Sequence, residues 1–306
     1  SEPNTVCRFS SVWASSDGTD LCVAGAFRGA PFHVSPSVSV PTPSTTTVTH
    51  FVACYTTDPA TAGVGPYDLA WVSRRVVAHE HAQPPAPILP RLYHTAGHLY
   101  VTGAHSGDVV SWGETSTSLG RSTSARVSSP TTTPGRTAYA AAFAVSPGAG
   151  AAATQSALWV TPVPATARDG IQAVSSPVVV GGSLTMVVTT TAALQLAAHA
   201  SAQGHTSGVA TTDSSFGVVV SMDASTGSVE PAGVVVASPG DSQVAGVGLA
   251  AYVSEFSTST AAADIVVAGV GRGQVGVGAA VSAHSAASET VDTPSSTEED
   301  EQRKKF

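Results

Sequence analysis

The segment Asp20-Leu-Cys-Val-Ala-Gly-Ala-Phe-Arg-Gly29 returns far along the chain as Asp264-Ile-Val-Val-Ala-Gly-Val-Gly-Arg-Gly273. A shorter form, His98-Leu-Tyr-Val-Thr-Gly-Ala-His-Ser-Gly107, lies between them, and Ser183-Leu-Thr-Met-Val-Val-Thr-Thr-Thr191 is a degraded copy. The landmark positions Gly25, Gly103, Thr189 and Gly269 are separated by 78, 86 and 80 residues. Spacing this regular marks tandem units, each of which needs its neighbours to bury an apolar face.

A second landmark follows the first three. Phe51-Val-Ala-Cys-Tyr55 runs on to Leu69-Ala-Trp-Val72, and Tyr139-Ala-Ala-Ala-Phe143 to Leu158-Trp-Val160. Phe216-Gly-Val-Val-Val220 runs on to Val234-Val-Val236. The runs Leu21 to Phe27 and Leu99 to Ala104 are short, apolar and bounded by turn residues, the pattern of buried strands joined by hairpins. Helices are not expected, because Gly and Pro punctuate the chain and no spacing of three and four links large apolar residues. Four strands per unit of about 80 residues predict an all-β, β-propeller-like fold of tandem four-stranded antiparallel blades. The domain is expected over 1–281, with units at about 8–80, 88–165, 170–238 and 243–281, followed by a polar, charged tail over 282–306.

The units resemble bacterial β-propeller repeat proteins of the SBBP kind. The residues that carry the resemblance are Tyr100-Val-Thr-Gly103 with Trp112-Gly113, Phe51-Val-Ala53, Asp223 to Gly227, and Trp71 and Trp159. It covers about residues 8 to 280 and implies architecture alone, since that family has no common catalytic site. The third unit departs from it at Thr189. The fourth has only its first half before the chain turns polar near Ser282, so closure of a ring is expected to need a depleted last blade or another chain.

Composition narrows the function classes. The 306 residues carry 13 Lys+Arg against 21 Asp+Glu, a net charge of −8, which argues against a phosphate-binding surface. Hydrophobic residues make up 42% of the chain, too many for disorder throughout. No run approaches the roughly 18 apolar residues that would span a bilayer as a helix. Lys occurs only at Lys304 and Lys305 and Asn only at Asn4, as a GC-rich coding sequence would produce. Asn4 starts no glycosylation acceptor, while the Ser/Thr runs leave O-glycosylation open. An opening Ser1 fits a removed leader or a trimmed initiator, and no targeting segment is visible. Cys7, Cys22 and Cys54 read first as buried small hydrophobes, with a Cys7–Cys22 or Cys22–Cys54 bridge as the alternative.

Candidate chemistry is sparse, and the expected set of catalytic, cofactor-binding and metal residues is empty. His79, Glu80, His81, His94, His98 and His105 fall in one stretch, but prolines at 84, 85, 87 and 90 and the lack of a completing ligand favour loop histidines over a metal site. Gly269 to Gly276 reads as a turn between strands, because no helix follows that would cradle a phosphate. Gly204-His205-Thr206-Ser207-Gly208 reads as a polar loop without a nucleophile elbow. Asp108, Asp213, Asp223 and Asp264 read as turn formers. Arg74, Arg75 and Arg91 are the one cluster able to touch nucleic acid, and a direct nucleic-acid role is not favoured.

The sequence therefore predicts a protein that is not an enzyme and has no cofactor: a non-catalytic scaffold or interaction subunit of a larger assembly. Its protein partners would contact the incomplete last repeat and the tail, with loops at 36 to 47, 82 to 90 and 115 to 136 as further contact surfaces. The alternative is a secreted or surface-exposed binding module for a glycan or protein, and a disulfide would favour it. An organellar, such as mitochondrial, or extracellular location is expected over plain cytoplasm.

Overall fold

A computed structural model describes residues 6–36, 38–41, 48–57, 66–78, 88–95, 97–106, 109–113, 126–128, 136–145, 153–155, 157–165, 170–191, 194, 216–229, 234–237, 243–252, 264–272, 274–279 and 289–292. Among these the fold is all-β, and no helix is long and apolar enough to cross a membrane.

The chain begins with β1 (Val6–Ala14), β2 (Asp20–Arg28), a small hairpin of β3 (Phe32–His33) and β4 (Ser39–Val40), then β5 (Thr49–Thr56) and β6 (Asp68–Ala78). It continues with β7 (Arg91–Thr95), β8 (His98–Ser106), β9 (Val109–Trp112), β10 (Arg126–Ser128), β11 (Arg136–Ala144), β12 (Ala153–Thr154) and β13 (Trp159–Pro164). Next come β14 (Ile171–Val174), β15 (Val178–Val180), β16 (Ser183–Thr190), β17 (Phe216–Asp223) and β18 (Val234–Ala237). The last described strands are β19 (Gln243–Tyr252), β20 (Asp264–Arg272), β21 (Gln274–Ala279) and β22 (Glu289–Asp292).

Three antiparallel meanders organise these strands. The first is β1-β2-β5-β6, the second β7-β8-β11-β13, and the third β14-β16-β17-β18 with β15 also on β16. Only the second stands as a four-stranded sheet. The first is extended by β9 and β10 and by β12 lying parallel to β6, and the third by β21 and β22, so each of these sheets has seven strands. The expectation of uniform four-stranded blades is corrected to that extent: the free edges of β6 and β18 recruit strands from later in the chain, which pairs their backbone groups. The fourth unit divides as well, with β19 and β20 forming their own hairpin while β21 and β22 join the third sheet. Residues 289–292 of the polar tail are thus an edge strand, Gln274 facing Asp292.

The meanders stack face to face. In β8, Leu99 and Val101 join the core shared with the first sheet, whereas Tyr100 and Ala104 join the core shared with the third. β11 alternates the same way, Tyr139, Ala141 and Phe143 against Ala138, Ala140 and Ala142. A strand covered on both faces has no polar alternation to show, which is why this run reads as continuously apolar. The outer face of the first sheet packs Phe27, Phe51 and Val72 beneath Val34 and Val40 of the β3–β4 flap.

The repeat landmarks acquire a common geometry. Gly25 pairs with Phe51 and Gly103 with Tyr139, each second strand setting a glycine against an aromatic of the third. A Cβ on Gly103 would stand 2.6 Å from the Tyr139 hydroxyl, and one on Gly25 would fall on the Arg8 carbonyl oxygen and 2.9 Å from the Phe51 ring. The third copy is shifted from the expected Thr189: it is Thr190 that faces Phe216, while Thr189 faces Gly217. Side chains alternate between faces, so a slip of one residue exchanges faces. The bulges agree. The β1–β2 ladder slips between Phe9 and Ser11, beside Gly25, and the β14–β16 ladder between Ile171 and Ala173, beside Thr190. The β19–β20 ladder slips between Ala245 and Gly248, opposite Gly269. In the second meander Pro90, which has no N–H, stands where the ladder stops short of Gly103.

Candidate functional site

The first two meanders meet at an open cleft of about 610 Å³, lined by Trp13, Ala14, Ser15, Ser16, Asp20, His94, Gly97 and Val145. Three local features position it. The end of β1 and the turn into β2 supply Trp13 to Asp20. The Asp17 carboxylate organises this turn, accepting from the Ser15 hydroxyl at 2.6 Å, the Thr19 hydroxyl at 2.8 Å and the Thr19 amide at 3.1 Å. These bonds hold Asp17 down to about 2, so it stays ionised. The Asp20 amide donates to the Ser15 hydroxyl at 2.9 Å. Opposite, β7 supplies His94 and the tight turn into β8 supplies Gly97, at a φ of 86°. The Val145 amide donates to the Gly97 carbonyl, bringing the end of β11 to the rim.

Trp13 and His94 stack across the seam with ring centroids 3.7 Å apart. Burial lowers the His94 pKa, Asp20 raises it in part and His98 lowers it. The seam is tied at the β1 bulge. Arg91 Nη1 donates to the Ser10 carbonyl at 2.8 Å, and the Leu92 amide donates to Ser11 Oγ at 3.1 Å. Beneath the cleft, Trp13 lies directly across from Cys22, which is disulfide-bonded to Cys54 on β5. Both cysteines are buried, so the reading of all three as simple hydrophobes is corrected for this pair, while Cys7 is free and half-buried. The pairing follows from register: Cys22 and Cys54 are direct cross-strand partners, with Cα atoms 4.1 Å apart.

The cleft presents an aromatic pair, a carboxylate and two hydroxyls around small residues. Such a lining sets apolar ring surface beside hydrogen-bonding groups.

Among the described residues of the 79–105 stretch, His94, His98 and His105 do not gather at one point. His79, Glu80 and His81 lie outside the described residues. His94, His98 and His105 are strand residues, not loop residues, because β7 and β8 form a hairpin that continues past the prolines. His105 is buried seven positions from His98, at the far end of β8. Among the described residues, no group of three or more His, Cys, Asp or Glu side chains gathers as a metal site. Asp223 caps a turn, accepting from the amides of Ser225 and Thr226 at 2.9 and 2.8 Å. That turn docks on the second meander, where Tyr100 Oη and Trp159 Nε1 both donate to the Ala224 carbonyl. Asp264 lies on β20, and the run Gly269 to Gly276 divides between β20 and β21. Asp108, Asp213 and the segment 204–208 lie outside the described residues. Of the three clustered arginines, Arg74 donates to the Pro41 carbonyl, and Arg75 is buried and donates to those of Ala104 and Val48.

Sequence reasoning passed over Trp13 and Asp20. The available signal was a Trp followed by Asp17-Gly18, a turn pair that brings the end of one strand to the start of the next. No protein-family model, curated protein or solved structure matches the chain.

Proposed function

We propose that this chain is a non-catalytic, surface-exposed binding module that holds a glycan in the Trp13–His94 cleft and works in an oxidising compartment. The observation that carries the reading is the cross-strand placement of Trp13 on Cys22. The indole at the cleft is seated on a buried disulfide, a bond that persists outside reducing cytosol. The bridge fixes β2 against β5 at the level of the binding side chains, so the cleft is held in shape before a ligand arrives. Its volume falls in the range of small-ligand sites, roughly 300–1,000 Å³.

Calorimetry against a panel of neutral oligosaccharides, with the disulfide intact, tests this. The expected outcome is binding that Trp13→Ala weakens at least about tenfold, or about 1.4 kcal/mol. A chain that binds no saccharide in oxidising buffer, or binds as well without Trp13, defeats the reading.

The scaffold reading has one observation in its favour. Edge strand β1 carries Val6, Phe9 and Val12 into solvent, Phe9 with 63% and Val12 with 67% of its surface exposed. In that reading a protein partner covers β1 or the edge at β22, and deletion of 282–306 weakens assembly. The stacking of meanders in chain order supports a propeller-like arrangement, with the β19–β20 hairpin as the start of a fourth blade.

A further inference from the structure

At the end of the first-to-second sheet interface opposite the cleft lies a sealed polar cluster. β5 contributes His50, β6 contributes Ser73 and Arg75, β9 contributes Trp112, β8 contributes His105 and β11 contributes Tyr139, all of them buried. The Tyr139 ring is the hub, with the His50, His105 and Trp112 rings 6.5, 6.1 and 5.9 Å from it between centroids. His50 Nδ1 lies 3.1 Å from the Tyr139 hydroxyl. Arg75 crosses the interface by donating to the Ala104 carbonyl of the second sheet at 2.9 Å. Neither ring nitrogen of His105 makes a hydrogen bond, and Trp112 Nε1 and Ser73 Oγ are likewise unpaired. A second proton on the His105 ring would have no acceptor.

We infer that His50 and His105 form an acid-sensitive latch, closing the first sheet on the second while both rings are neutral and releasing it when the solvent acidifies. Among the described residues, the charged group that acts on both rings is the Arg75 cation. Tyr139 does not compete, since burial raises its pKa, and Ser73 and Trp112 do not titrate in this range. Burial first, and Arg75 second, lowers both histidines, His105 to about 3 and His50 well below its ordinary value, with His105 also acting on His50. In an opened chain each ring titrates near 6.5. Between that value and the folded pKa the opened state holds the extra protons, so closure is complete above about pH 6.5 and is lost as pH falls. Each histidine raises the opening equilibrium about tenfold per pH unit in this window, and the pair about 100-fold. The latch does not depend on what the cleft binds. Because the cleft is built across the same two sheets, opening also dismantles it.

Urea unfolding of the full chain between pH 7.5 and 5 tests the latch, comparing the parent with His50→Gln and His105→Gln. His94, at the cleft, adds its own smaller dependence and is common to all three proteins. The expected result is that, below about pH 6.5, each substitution removes about tenfold per pH unit from the change in the unfolding constant. An unchanged pH dependence in both variants overturns the proposal. If a variant does not fold, the His105 ring proton resonance of the parent decides: a resonance that does not titrate in the closed chain and changes only as the chain opens supports the latch, and a midpoint near 6.5 in the closed chain overturns it.

Discussion

The first and third meanders resolve one packing problem in different ways. In the first, Gly25 lies under Phe51, and three residues along each strand, on the face turned to the next sheet, Cys22 is bonded to Cys54. In the third, Thr190 occupies the glycine place opposite Phe216, and the position of the disulfide is taken by Val187 opposite Val219. The second meander lies between them, with Gly103 under Tyr139 and Tyr100 opposite Ala142. What the three share is a strand register, and the first and third also share a bulge, while the residue that fills each place varies. A repeat of this kind conserves backbone geometry and lets volume be redistributed within each cross-strand pair.

Removing the disulfide is the strongest way to break the comparison. It closes a separation of 32 residues, so the Cys22→Ala, Cys54→Ala pair should lose about 3–4 kcal/mol of stability, read as a lower urea midpoint in oxidising buffer. Val187→Ala in the third meander should cost less, about 1–3 kcal/mol, as a deletion of two buried methyl groups. Equal losses would show that the bridge adds little to what packing already supplies.

The glycines give the next test. Gly25→Ala sets a methyl group against the fixed backbone carbonyl of Arg8, and a loss of about 2–3 kcal/mol is expected by thermal unfolding. Gly103→Ala meets the Tyr139 hydroxyl instead, a side-chain atom that can yield, and about 1–2 kcal/mol is expected. Adding Tyr139→Phe should recover part of the Gly103→Ala loss and none of the Gly25→Ala loss. Recovery in both would mean that the two glycines do not serve separate pairs.

The smallest effect concerns two exposed turns. Asp17 and Asp223 are each held at about 2 by hydrogen bonds, from Ser15 and Thr19 in one case and from Ser225 and Thr226 in the other. Their contribution is present above the ordinary carboxylate value and is lost as pH falls through about 2. Replacing either by Asn should flatten the acid limb of the stability curve slightly. A steeper limb would contradict the assigned hydrogen bonds.

Much of this architecture was legible in particular residues. Phe51, Tyr139 and Phe216 marked the third strand of each meander, and Asp223 to Gly227 marked a turn, because short apolar runs and Asp-x-x-Gly chemistry are local signals. Thr189 was read one place early, since two adjacent threonines carry no local mark of which faces the neighbouring sheet. The cleft was harder to see. His94 was grouped by sequence with His98 and His105, whereas its working neighbour is Trp13, some 80 positions away.

The sequence by itself determined the strand content and the place of the glycine-bearing strands, properties of local sterics and of apolar periodicity. Tertiary structure decided the rest. It chose the Cys22–Cys54 pairing, carried β21 and β22 onto the third sheet, and sealed His50, Arg75, His105 and Tyr139 between two sheets. The physical reason is that cross-strand register and burial are set by partners distant in sequence. An imidazole in a loop and one enclosed beside a guanidinium are the same letter until the second sheet closes over it.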